Sequence, residues 1–170
     1  MPSIASVAAF VLLAISASVS ATPVIRAACP NNGTPNFSGQ NVQMTDLNGK
    51  TFLASDGKTA QFFLIQNDGK FPGAFIIKNA GATANGLTVD SAGATSFTTL
   101  VNGNSGVGQS WKIVCEECTV DSKTPASKCT VKPNGKDTCL TTGANNKLVV
   151  ETCSADATAK KGQTFNFATK

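Results

Sequence analysis

The sequence predicts an all-β fold, and three observations carry that reading. Asn-Gly recurs at Asn32, Asn48, Asn85, Asn102 and Asn134, and Asp-Gly at Asp56 and Asp68. These dipeptides tolerate positive φ and favour tight hairpin turns. Between them the apolar residues fall in short alternating or doubled runs, and helix signals are nearly absent. Three Gln-x-aromatic triplets, Gln61-Phe62-Phe63, Gln109-Ser110-Trp111 and Gln163-Thr164-Phe165, recur roughly every 50 residues, as one folding unit used three times would repeat.

Residues 1–21 are set aside from the fold. They carry no charged side chain, contain the apolar run Val7 to Ile15, and end in Val19-Ser20-Ala21. Small residues at the last and third-last positions suit signal peptidase, and the run is too short for a comfortable membrane span. A signal peptide is therefore expected, and a secreted product. The mature part, residues 22–170, is long enough for one domain that buries roughly 70% of its unfolded surface. No later segment reads as a membrane span.

Charge narrows the partners. The chain has 14 basic and 10 acidic residues, no histidine, and a formal charge of +4. The basic residues are lysines apart from Arg26 and, except for Lys160-Lys161, lie scattered. Nucleic-acid surfaces cluster their charge and use arginine for base readout, so no nucleic-acid partner is expected.

Six cysteines, Cys29, Cys115, Cys118, Cys129, Cys139 and Cys153, remain after cleavage. An even number behind a signal peptide reads as three disulfides. The rival reading of Cys115-Glu116-Glu117-Cys118 is half a zinc site or a redox pair. Without histidine, zinc would need four thiolates in an oxidising compartment. A redox pair would need a helix start, and none is expected there. No metal or cofactor is expected. Asn32-Gly33-Thr34 and Asn36-Phe37-Ser38 are N-glycosylation sequons, consistent with a surface arm over residues 22–36.

Strands are expected over 42–47, 50–54, 61–66, 74–79, 86–90, 96–101, 109–114, 130–132, 138–141, 147–152 and 163–167, each bounded by turn chemistry. The second and third units each contain four of them in the same order. Four strands taken three times, closed by pseudo-threefold symmetry, describe a β-trefoil, with repeats at about 37–72, 73–116 and 117–170. The first unit is the least regular. Gln61-Phe62-Phe63 is either its closing strand or its third, with Gly73-Ala74-Phe75 closing instead.

The third unit adds specific residues. Cys139-Leu140, then Leu148-Val149-Val150, Cys153 and Gln163-Thr164-Phe165 resemble the repeat of ricin B-type lectins. That resemblance implies a Cys139–Cys153 disulfide. It does not assign the other four cysteines, whose pairing stays open; in one arrangement Cys118–Cys129 would staple the connection from Val114 to Thr130 and Cys29–Cys115 would fasten the arm. The triplets read as core: Phe63, Trp111 and Phe165 would fill symmetry-related layers, and Gln61, Gln109 and Gln163 would serve backbone groups between strands.

Sugar sites of the family use an aspartate after the Cys-Leu-type strand, an aromatic late in the third strand, and an asparagine before the glutamine. The third unit places Thr141, Glu151 and Gly162 at those positions, so that site reads as lost. The second unit has Thr88 with Asp90 two residues later, and Asn102 and Asn104 ahead of Gln109. In the first unit Asp56 follows a strand, and Gln66, Asn67 and Asp68 form a polar tip. Asp56, Asp90, Asn102 and Asn104 are the candidate ligand residues, against the plainer reading of polar hairpin loops.

Catalysis is not expected. Without histidine, Ser-His-Asp and Cys-His arrangements cannot form. The adjacent pair Glu116-Glu117 would point to opposite faces of a strand and reads more simply as a solvated turn. The expectation is thus a secreted, disulfide-bonded, glycosylated β-trefoil that binds a glycan or cell-wall polysaccharide without catalysis. The alternative is a protein partner, with the cysteine-braced connection carrying Lys123-Thr124-Pro125 acting as a protease-inhibitor loop. A module that kept the scaffold and lost its ligand is a further possibility.

Overall fold

A computed structural model describes residues 26–29, 33–37, 39–52, 61–101, 105–119 and 126–169. The expected signal peptide, Asn32, Asp56, Asn102, Asn104 and Lys123 lie outside them. The described residues form a mostly antiparallel β-structure with three disulfides. The strands are β1 (Arg26–Ala28), β2 (Asn41–Asp46), β3 (Phe62–Asn67), β4 (Phe75–Asn79), β5 (Ala82–Val89), β6 (Thr95–Thr99), β7 (Trp111–Thr119), β8 (Ala126–Pro133), β9 (Thr138–Thr142), β10 (Leu148–Thr152) and β11 (Thr164–Thr169).

Nine strands pair in the order β1-β7-β8-β11-β2-β3-β4-β5-β6, and β9 pairs with β10 separately. One further pairing sets Phe75 of β4 opposite Trp111 of β7. The pairings β7-β8-β11-β2-β3-β4 therefore return to β7, and each of these six strands has a neighbour on both sides. That leaves few open backbone groups to solvate or to recruit another chain.

Alternation explains why the six pack together. Val42 and Met44 on β2, Phe63 and Ile65 on β3, and Phe75 and Ile77 on β4 are fully buried, as are Trp111 and Ile113 on β7, Val131 on β8, and Phe165 and Phe167 on β11. Each pair is spaced by two, which puts both members on one face of a strand. Trp111 also donates its indole N–H to the Leu87 carbonyl at 2.8 Å, so its one polar atom is satisfied in the core. Phe37, just before β2, joins this core edge-on to Phe75 and Phe167, with ring centres 5.6 and 5.0 Å away.

The elements differ from expectation at three places. Residues 50–54 do not make a full strand; Thr51 forms a single bridge to Thr45, and 53–60 lie outside the described residues. Glu116 and Glu117 are not in a turn but inside β7, which with β8 forms one long hairpin from Trp111 to Pro133. Glu117 is held there by Ser127 at 3.0 Å and Lys128 at 2.6 Å. A short helix, α1 (Ala157–Lys161), was not expected. Asp156 caps it by accepting from the amides of Thr158 and Ala159 at 2.9 Å.

The cysteine pairing is corrected as well. Cys139–Cys153 forms, but Cys118–Cys129 and Cys29–Cys115 do not: the bonds are Cys29–Cys118 and Cys115–Cys129. Strand register is the reason. Cys115 stands directly opposite Cys129 in the β7–β8 pair, whereas Cys118 stands opposite Ala126. Cys115 and Cys118 are an odd number of residues apart, so their side chains leave β7 on opposite faces. On the second edge of β7, Ala27 of β1 lies opposite Cys118, which brings Cys29, two residues on, to the diagonal position. The arm is thereby paired and bonded to β7.

Trypsin together with a protease that cuts after glutamate will put each cysteine on its own peptide, because Lys112, Glu116, Glu117, Lys123, Lys128, Lys136, Lys147 and Glu151 lie between them. Mass spectrometry of the unreduced digest is expected to find Cys115 linked to Cys129 and Cys29 linked to Cys118. Recovery of a Cys118–Cys129 peptide would contradict the register. Removing the Cys115–Cys129 bond, which spans a sequence separation of 14, should cost about 3 kcal/mol.

Candidate functional site

The glutamines come first, because they place everything around them. Gln109 is 3% exposed and Gln163 is 5% exposed. The Gln163 Nε2 donates to Thr141 Oγ1 at 3.1 Å and to the Thr152 carbonyl at 2.9 Å, and its Oε1 accepts from the Ser154 amide at 2.7 Å. Gln109 repeats the pattern. Its Nε2 lies 3.1 Å from Thr88 Oγ1, 2.9 Å from Thr98 Oγ1 and 3.2 Å from the Thr98 carbonyl, and its Oε1 accepts from the Gly106 amide at 2.7 Å. One amide thus ties both strands of a hairpin to the segment that follows it. Thr88 and Thr141, where the resemblance led to the expectation of an aspartate, each accept from one of these glutamines. Gln61 is half-buried with its backbone N–H bonded to the Phe52 carbonyl at 2.8 Å.

Asp90 is exposed, and its carboxylate closes a turn. Its Oδ1 accepts from the amides of Ala92 and Ala94, both at 2.9 Å. Asp46 does the same with Asn48 and Lys50, at 2.9 and 2.8 Å. Both open an Asp-x-x-Gly-x stretch, a match that was legible in the sequence. The turn Gly143–Lys147 has the same backbone closure without an acid, and there Asn145 and Asn146 take positive φ, 56° each. The other predicted ligand residues, Asp56, Asn102 and Asn104, lie outside the described residues. Asn36 is exposed, as a glycosylated asparagine must be, while Phe37 beside it is core.

Asp68 is buried, not part of a solvated tip. Ser105 donates to its Oδ2 at 2.6 Å and the Lys70 amide to its Oδ1 at 2.9 Å. Burial works against the charged form, but these bonds, with help from Phe71 and Ser110, outweigh it and hold the carboxyl below its ordinary 3.8. Ser110 acts at longer range, since its hydroxyl makes no direct hydrogen bond.

Two hairpins, β5–β6 and β9–β10, lean on each other. The Val150 amide donates to the Gly93 carbonyl at 2.8 Å, and Ala94 bridges to Val149. Gly93 has φ +85°, and a Cβ there would meet the Val150 carbonyl oxygen at 2.6 Å; only glycine allows this approach. Beside the contact lies an open groove of about 790 Å³. Phe52, Phe63 and Leu87 form its floor, Phe97 and Ser96 one wall, and Asn145 to Val149 the other, with Gln61 at the edge. Phe97 is half-buried and stacks on Phe63 at 6.2 Å between ring centres. In the sequence Phe97 is an aromatic early in its strand, and no local pattern marks Asn145 or Asn146. Their adjacency to a groove was not readable without the packing of one hairpin on another. Neither a protein-family model nor a curated protein sequence matches this chain.

Gln163→Ala leaves the Thr152 carbonyl and Ser154 amide without their partner. It should cost about 2–4 kcal/mol, read as a lower denaturation midpoint at unchanged slope. The carboxyl of Asp68 is depressed in the folded state, so its stabilisation is fully present above its unfolded pKa and is lost as pH falls through the folded one. Wild-type stability should therefore fall below about pH 4 more steeply than that of Asp68→Asn, which should already be weaker at pH 7. Parallel acid-unfolding curves would refute this.

Proposed function

We propose that the chain is a secreted, non-catalytic carbohydrate-binding module, built as a β-trefoil of the ricin B-like type. Several features support the fold. Six strands pair in a ring, and three turns, at 46–50, 90–94 and 143–147, share one backbone closure. Two of the three glutamines make the same bracket, and Cys139–Cys153 spans one hairpin as in the resembled family. The three disulfides suit an oxidising extracellular compartment. Among the described residues no helix is long and apolar enough to cross a membrane.

The observation that carries the binding reading is the groove between the two hairpins. It combines an accessible aromatic edge, Phe97, with the amides of Asn145 and Asn146 and the hydroxyls of Thr95 and Ser96. Sugars need that combination: an apolar ring face packs on an aromatic, and hydroxyls bond amides that both donate and accept. Such a site binds without turning over its ligand, since it offers no pair of carboxylates for acid–base work.

A second reading, inhibition of a protease through the connection between β7 and β8, is favoured by the Cys115–Cys129 bond at the base of that hairpin. Inhibition abolished by Lys123→Ala would select it. For the glycan reading, the test is an array of neutral and charged glycans, followed by titration of each hit. Phe97→Leu should weaken binding about tenfold, the equivalent of ~1.4 kcal/mol. Asn145→Gly with Asn146→Gly keeps the left-handed backbone and removes only the amides, and should do at least as much. Binding that survives both changes places the ligand elsewhere; Asp56, Asp90, Asn102 and Asn104 are then the next residues to vary.

A further inference from the structure

A second concavity, separate from the groove, lies against the outer face of the β7–β8 hairpin. It has a volume of about 370 Å³ and is lined by Val114, Thr130, Lys132, the disulfide pair Cys139 and Cys153, Ser154, Lys160 and Gln163. We infer that this recess binds an anionic group carried on a polysaccharide, a uronate carboxylate or a sulfate ester. The inference rests on the carbohydrate-binding reading and adds to it the class of sugar.

Charge carries the argument. Two lysines, Lys132 and Lys160, line the recess, and among the described residues its lining contains no carboxylate. Lys112 adds a third, since it stands directly opposite Lys132 in the β7–β8 register and so shares its face. Like charges directly opposite each other on an antiparallel pair are destabilising. Here the cost is not relieved within the chain: among the described residues, none of the three lysines forms an ion pair. Glu116, Glu151 and Asp156 are carboxylates on the bordering elements, and the Oδ1 of Asp156 is taken up by the amides of Thr158 and Ala159 at the start of α1. Glu116 lies 3.8 Å from Lys128, and Glu151, exposed on β10, is outside the lining. An anion seated between Lys132 and Lys160 would offset the repulsion that the fold leaves in place.

The rest of the wall fits a sugar better than a bare ion. Val114 is 43% exposed on a strand whose alternate residues are core, and together with the Cys139–Cys153 bond it gives the recess an apolar side. Beside them are the hydroxyls of Thr130, the cross-strand neighbour of Val114, and of Ser154, which follows Cys153. Ser154 Oγ accepts from the Asp156 amide at 3.1 Å, which leaves its proton free to donate outward. An apolar side, two donors and two cations match a pyranose ring bearing one negative group. A polynucleotide would call for arginine and stacking aromatics, and the recess has neither.

The experiment compares oligogalacturonate with its methyl ester, and dextran sulfate with dextran, on the wild type and on Lys132→Gln with Lys160→Gln. Titration calorimetry is run at 0.1 M and 1 M salt. The acidic member of at least one pair should bind about tenfold more tightly than its neutral partner, the double variant should lose that margin, and salt should erode it as screening tightens. Which pair shows the margin identifies the carboxylate or the sulfate. The double variant should melt no lower than the wild type, because removing Lys132 relieves Lys112.

Equal binding of acidic and neutral members, or a margin untouched by the double variant, overturns the inference and leaves the carbohydrate reading standing. Equally tight, lysine-dependent binding to phosphatidylserine vesicles or single-stranded DNA also overturns it, in favour of general polyanion attraction. Failure of every glycan, neutral or acidic, removes the underlying reading as well.

Discussion

Buried side-chain amides that must serve three pieces of chain at once hold this molecule in its shape. Gln163 reaches Thr141 on one strand of a hairpin, Thr152 on the other, and Ser154 beyond it; Gln109 spans Thr88, Thr98 and Gly106 in the same way. A primary amide is suited to this because it carries two donors and an acceptor on one rigid plane. Each group it serves would otherwise be a polar atom out of contact with water. Two residues further on, Trp111 and Phe165 point into the core, so each triplet fastens a hairpin outside and fills a layer inside.

The hairpins fastened in this way determine where concave surface can exist. The buried faces of these six strands carry Phe, Trp, Ile and Val that pack into one core. Concavity must then arise where hairpins stand away from the ring. The groove opens where β5–β6 meets β9–β10, held at the Gly93–Val150 contact. The recess opens on the other side of β9–β10, where its base faces the outer surface of β7 and β8. Gly108 shows how tight the packing between these surfaces is: it has φ +73°, and a Cβ there would lie 2.3 Å from the Val89 carbonyl oxygen. A side chain at that position would push apart the bracket that Gln109 makes next to it.

What could be read from the sequence was whatever has a short period. The alternation in Val42-Gln43-Met44 or Phe165-Asn166-Phe167 marks a strand and its buried face without reference to anything distant. The triplets could be assigned to the core for the same reason. Strand register is a long-range property, and the cysteines show the consequence. Nothing near Cys118 indicates that Ala126, not Cys129, faces it, or that residues as remote as Ala27 and Cys29 come to lie along β7. Asp68 shows a different failure. It sits in an Asp-Gly turn signal, and only Ser105, far along the chain, makes it a buried carboxylate. The helix α1 escaped notice because five residues show no periodicity, although Asp156 ahead of Ala157-Thr158-Ala159 is a capping signal. The two concave surfaces were the least legible part, because each is assembled from separate hairpins whose meeting no local pattern encodes.

The β9–β10 hairpin borders both surfaces, and that gives Cys139–Cys153 a role beyond stability. By its sequence separation of 14 the bond is worth about 3 kcal/mol through the unfolded chain alone. In the folded protein it lies at the base of the hairpin whose tip, Asn145 to Val149, walls the groove, and whose base, with Ser154 and Lys160, walls the recess. A tilt of this one hairpin would widen one concavity while narrowing the other. Gln163 opposes such a tilt from the core side and the disulfide from the outer side, so both walls are fixed before any ligand arrives. Walls fixed in advance spare a ligand the binding energy otherwise lost to the ordering of loops. The Cys139–Cys153 bond thus sets the geometry of both concavities proposed as binding surfaces.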